Sequence, residues 1–312
     1  MTGCLRKGKG ARKCVRRVTL ALGVRECRRR FGGLIAHIAV GRHTSKASRP
    51  APCEQVYHTH EIHRRLEMIL GNVRASLTRD DAQLALQLIG RASRAALEEA
   101  EEALREHGVD ALLDDPRLLQ SLLDTASRLG MRASWPLFCY VIVRQSLRRA
   151  GEGDRALADY VAAIVLHFGA RGRAMQISEY DDQEYDTLAA LLDDVNDGDV
   201  RRSFLVRQHL GNYALWLSGL FPDRIEQRRW RRGGPDLEYY EEMGRRGFQM
   251  AADHRLAQEN GLDALFREAA ARFAVIRVAL NEMSDSIFFP MLHTPERLMR
   301  QVKDEGRWKR ES

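Results

Sequence analysis

From residue 54 onward, apolar side chains recur every three to four residues, and the period-two alternation of β-branched residues that marks strands is almost absent. That rhythm commits the chain to helices packed on helices, because each apolar stripe has to be covered by another. Leu, Ala, Arg and Glu dominate, and all are good helix formers. The punctuation agrees. Thr78 with Asp81 three residues on is a capping-box-like start, and Asp115-Pro116 is an N-cap ahead of a first-turn proline. Gly108, Gly130, the pair Gly151 and Gly153, Asn196-Asp197-Gly198 and Gly233-Gly234-Pro235 are stops.

Helices are therefore expected over about 54–75, 78–108, 116–130, 134–150, 154–168, 181–195, 199–220, 223–232, 236–259 and 262–281, with a short one starting at Thr294-Pro295. Within 78–108, Ala85, Leu88, Ile89, Ala92 and Ala96 share one face. Connections of two to eight residues suit a packed bundle. The expected fold class is all-α: one bundle of about ten helices over 54–312, with a subdomain boundary near 169–178 and no internal repeat. The 8 prolines and 24 glycines are too few turn formers for a many-stranded sandwich. The longest apolar run, from Trp135 to Val143, is 9 residues against the roughly 20 of a membrane span, so no span is expected.

Charge separates the first 50 residues from the rest. They carry 14 Lys or Arg and one acid, Glu26, a net +13; the remainder carries 36 basic and 42 acidic residues, a net −6. A uniformly basic, nucleic-acid-coating domain is excluded. Arg outnumbers Lys 44 to 6, which weakens any argument that one Arg was selected for its planar fork. Residues 1–53 also hold Cys4, Cys14, Cys27 and Cys53, and little fixed structure is expected there. Three readings compete: a basic tail for nucleic acid or acidic lipid, a targeting peptide on Arg16-Arg17 and Val18 to Leu22, or a segment outside the natural protein, with translation starting downstream, for example at Met68. The fifth cysteine, Cys139, sits in an apolar stretch, and no pair has CxxC spacing, so a reducing, cytoplasmic setting is expected.

Several clusters could carry chemistry. His60, His63 and Glu67 fall at i, i+3 and i+7, the spacing of metal ligands on one helix face; the plainer reading is a polar surface. Asp193, Asp194, Asn196, Asp197 and Asp199 around Gly198 suggest a calcium loop. Registering Gly198 on the loop glycine puts Val195 and Phe204 where ligands belong, so a solvated helix end fits better. His209, Asn212, Tyr213 and Trp216 make one polar-aromatic face, either a hydrogen-bonded core face or a ligand-pocket wall completed by Arg224, Arg228 or Tyr240. Arg228, Arg229, Trp230, Arg231 and Arg232 put four cations around a stacking surface. That suits single-stranded nucleic acid, or equally a salt-bridged helix C-terminus. Tyr239, Tyr240, Glu241, Glu242, Asn281 and Asp285 are further polar groups beside apolar helices, while Gly244 and Gly247 suggest close helix contact.

Arg202 and His209, with six residues between them, resemble the Arg–His pair of HEPN-type ribonucleases, which are also all-α. The resemblance rests on that pair alone, and Ser203 departs from the usual residue after the Arg. It implies that Arg202 and His209 act on a ribose 2′-hydroxyl and the scissile phosphate. No nucleophile–base pair, phosphate loop or metal tetrad stands out, and no cofactor is implied. The leading expectation is a non-enzymatic helical module that binds protein, itself or another. A small-ligand or hydrolytic site around His209 and nucleic-acid binding through the basic residues are the alternatives.

Overall fold

The computed structural model describes residues 68–311 apart from 130–132, 172–173, 179–180, 182 and 197. The basic segment 1–53, most of the first expected helix, and His60, His63 and Glu67 lie outside the described residues. Among the described residues the fold is all-α: fourteen α-helices and no strand. Among the described residues no helix is long and apolar enough to cross a membrane.

The helices are α1 (Arg79–Gly90), α2 (Arg94–His107), α3 (Val109–Leu113), α4 (Pro116–Leu129), α5 (Trp135–Arg149), α6 (Arg155–Arg171), α7 (Leu188–Asp193), α8 (Val200–Leu220), α9 (Pro222–Arg232), α10 (Leu237–Ala252), α11 (Arg255–Glu259), α12 (Asp263–Ala271), α13 (Phe273–Met283) and α14 (Pro295–Glu311). The capping box at Thr78 forms as its sequence implies: the hydroxyl accepts from the Asp81 N–H at 3.2 Å and the Asp81 carboxylate accepts from the Thr78 N–H at 2.9 Å.

Helix α8 is the central rod, buried along most of its length. It packs on α10, α13, α6 and α7; α10 in turn packs on α12, and α5 joins α6 and α13. Helices α1 to α4 form a layer reaching the core through α5, while α9 and α14 close the opposite end of α8 against each other. The α8–α10 crossing is close because two glycines meet there. A Cβ on Gly247 would stand 2.5 Å from the Gly211 nitrogen, and one on Gly244 would enter the Phe273 ring. The contact suggested for Gly244 and Gly247 is thus a helix crossing.

Five expected helices need correction. Of 54–75, the described part is irregular except for a 3-10 turn, Arg74–Ser76, held to α6 by the Arg74 N–H on Asp159 at 2.9 Å. The expected helix 78–108 turns sharply after Gly90, and Ser93 caps a new one by accepting from the Ala96 N–H. Of 181–195 only α7 and the 3-10 turn Asp194–Asn196 are helical. Asp181, Gln183, Tyr185 and Asp194 gather around the Arg202 guanidinium at 2.7 to 3.2 Å, and that charge outcompetes helix formation in an acidic stretch. The helix expected over 236–259 breaks at Asp253, where His254 caps α11 through Nδ1. The one over 262–281 breaks at Arg272.

Candidate functional site

The face of α8 open to two readings, core face or pocket wall, is closed. His209 is 4% exposed; its Nε2 lies 3.1 Å from the Ala174 carbonyl, and its ring packs between Phe168 and Tyr213. Since a carbonyl only accepts, Nε2 carries the proton of the neutral ring. Burial pushes the imidazole down to about 3. Asn212 accepts from the Tyr160 hydroxyl at 2.7 Å, and Trp216 packs edge-on to Phe168 and Phe221. Tyr213 and Tyr240 are buried as well, and burial raises the Tyr213 phenol to about 12. None of His209, Asn212, Tyr213, Trp216, Arg224, Arg228 or Tyr240 lines either groove described below. The face is a hydrogen-bonded core face.

The ribonuclease-like pair is not brought together for catalysis. Arg202 is engaged by Asp181 and Asp194 at 3.2 Å, one helical turn or more from the sealed His209. The suggested calcium loop is likewise structural: Asp199 caps α8 through the Arg201 and Arg202 N–H groups, and Asp194 binds Tyr185 and Arg202. No group of three His, Cys, Asp or Glu among the described residues is placed to hold a metal.

The basic run ends α9 on the surface, with Trp230 74% open to solvent. Arg229 approaches Glu226 and Asp236 only at 3.9 to 4.0 Å. Among the described residues Arg228, Arg231 and Arg232 form no ion pair, so the expected salt-bridged surface is limited to Arg229.

The most unusual chemistry lies under α14; of the polar groups singled out in the sequence it takes in Glu241, Asn281 and Asp285, but the arginines that join them were not among the candidates. The signal was present as Arg297, Arg300 and Asp304 spaced three and four residues apart. A surface helix ordinarily turns its apolar stripe inward. Here Arg297 and Arg300 are 5% and 4% exposed, whereas Leu298, Met299 and Val302 are 60%, 61% and 64% exposed. The inward face is held by charge. Arg297 binds Asp223 at 2.8 and 3.0 Å and donates to the Phe289 carbonyl at 2.9 Å; Arg300 binds both Asp285 oxygens at 2.9 Å. Asp285 is delivered by a π-helical turn, Ser284–Phe288, that widens the end of α13. Asp304 reaches Arg277, itself 2% exposed and bound to Glu241 at 2.5 Å and Asn281 at 2.6 Å. Asn281 then donates to the last carbonyls of α8, Ser218 and Gly219, at 2.7 Å. One ionic network thus ties α14 to the C-terminus of the central helix.

Two grooves flank α14. The larger, about 1100 Å³, runs between α14, α9 and α10, with Trp230, Leu237, Tyr239, Pro295 and Met299 as its apolar part. The smaller, about 540 Å³, lies over α13 and the end of α5, and shares Arg300 and Asp304 with the first. Comparison of the chain with protein-family models, with curated proteins and with solved structures finds no match.

Proposed function

We propose that the protein is a helical interaction module that docks a polypeptide partner on the outward face of α14 and the groove beside it. The observation that carries this reading is the inverted helix: arginines inside, Leu298, Met299 and Val302 outside. An apolar face held outward by a desolvated ionic network costs the isolated chain both apolar exposure and charge burial, and a partner covering the face recovers the first. The groove supplies Trp230, Tyr239, Met299 and Arg229, the residue types that concentrate binding energy in protein interfaces. A cytoplasmic setting belongs to the same reading and is supported by the buried free thiol of Cys139.

The test is a photoreactive residue in place of Val302 in the full chain, irradiated in cells, with Arg94 on the far layer as control. The reading expects one dominant polypeptide adduct at 302 and none at 94. Equal or absent adducts at both sites overturn it.

A second reading, single-stranded nucleic acid, is favoured by Trp230 standing exposed beside Arg228, Arg231 and Arg232. It requires oligonucleotide binding that weakens steeply with salt and vanishes in W230A. Salt-insensitive or absent binding dismisses it.

A further inference from the structure

We infer that the partner of this face is a second copy of the chain, paired through α14 antiparallel about a two-fold axis; the inference rests on the interaction reading above. Pro295, Leu298, Met299 and Val302 fall at i, i+3, i+4 and i+7, one continuous stripe along a 17-residue helix. Glu296 and Lys303 are seven residues apart, so they project from nearly the same side of the stripe, and both line the groove with Trp230. Among the described residues neither has an ion-pair partner.

Antiparallel pairing centred beside Met299 sets Leu298 against the partner's Val302 and brings Glu296 within about one residue of the partner's Lys303, twice over by symmetry. Parallel pairing sets this flank against the opposite flank of the partner helix, so Glu296 and Lys303 would gain no counter-charge. The pattern of the flank therefore selects the antiparallel arrangement. The groove walls are mixed in sign, with Glu238 and Glu242 beside Arg229 and Arg245, which suits a self-complementary contact and not the single-sign surface of a nucleic-acid channel.

Area extends the contact beyond α14. A helix of this length presents a face of about 25 by 10 Å, and a stable interface takes roughly 800 Å² from each partner. The remainder has to come from the groove walls, which makes Trp230 a contact residue, with its indole against the partner's α14.

Sedimentation equilibrium of the full chain over a wide concentration range tests the pairing. A reversible monomer–dimer equilibrium is expected. Val302→Asp and Trp230→Ala should each weaken it about 10-fold or more. Glu296→Lys, which sets like charges at both ends of the pair, should weaken it about 10-fold, and the swap E296K/K303E should restore it to within about 3-fold. Circular dichroism should show helicity unchanged in all four. A dimer indifferent to Val302→Asp, or a swap that fails to rescue, overturns the arrangement. A chain that stays monomeric while position 302 captures a different polypeptide, or its own N-terminal segment, overturns self-pairing and leaves α14 a docking face. A monomer that captures nothing ends both readings.

Discussion

Replacing Arg300 by Met asks how much the ionic network under α14 contributes to holding the helix in its inverted orientation. Removing one partner of a buried ion pair costs roughly 3–5 kcal/mol, because the other charge stays desolvated. Two features of this site lower that figure. Arg297 remains within 2.8 Å of Asp223 and 3.2 Å of Asp285, so both carboxylates keep a cation. In addition, Arg300 Nε is buried without a hydrogen-bond partner, and its desolvation, roughly 1–3 kcal/mol, disappears with the side chain. The balance for Arg300→Met is a loss of about 2 kcal/mol. Arg297→Met also leaves a cation, Arg300, at 2.9 Å from Asp285 and 3.5 Å from Asp223, but its Nε, Nη1 and Nη2 are all engaged, so no unpartnered group is relieved and the loss should be about 3 kcal/mol. The loss falls first on the docking of α14. Hydrogen exchange resolved by peptide should therefore show α14 amides opening about 30-fold more often in Arg300→Met, with α8 unchanged and far-ultraviolet circular dichroism retained. Exchange within about 2-fold of the parent, or a larger effect in Arg300→Met than in Arg297→Met, refutes the reasoning that the pairs are desolvated and cooperative.

Gly247→Ala adds a methyl group 2.5 Å from the Gly211 nitrogen; forcing α8 and α10 apart outweighs the gain of about 1 kcal/mol in helix propensity, for a net loss of about 2 kcal/mol in urea unfolding. Gly153→Ala, in open space, is the control and should change stability by no more than about 0.5 kcal/mol. His209 titrates near its usual 6.5 when unfolded and near 3 when folded, so its contribution is complete above pH 6.5 and is lost as the pH falls through about 3. Unfolding free energy should accordingly drop by about 2 kcal/mol from pH 7 to pH 5 on account of this residue, and His209→Gln should flatten the profile in that window; an equally steep variant contradicts the assignment. Cys139, 1% exposed with its thiol pushed up to about 12 by burial, should react with iodoacetamide only through opening of the core, as read by peptide mass. Labelling as fast as that of an exposed thiol would refute this.

The helical class was legible because local signals and global packing agree along most of the chain. Thr78, Ser134 and Asp199 cap the helices that their spacing implies. The errors came where a distant group decided the local conformation. Nothing near Asp181 announces that Arg202, some twenty residues on, will gather the acidic stretch and stop it from being a helix. Ser93 and His254 break helices that propensity alone would continue, and such short-range competition is ambiguous in one sequence. The sequence of the α8 face suits core and pocket alike; both need polar residues among aromatics, and only the positions of Ala174 and Tyr160 separate them. The inverted helix was hidden for a related reason. Amphipathic spacing gives two faces, and which one turns inward depends on Asp223 and Asp285, side chains that α14 itself does not contain.

The central claim is that α14 presents Met299 outward to a second copy, and oxidative footprinting read by mass spectrometry tests it most directly. In dilute full-length chain, Met299 and Trp230 should oxidise far faster than Met243 and Met283, which are 6% and 1% exposed. At concentrations where the dimer forms, Met299 and Trp230 should become protected together. A Met299 as slow as Met283 at every dilution would mean that the helix docks with its apolar face inward; a Met299 equally fast at every concentration would mean that no second copy covers it.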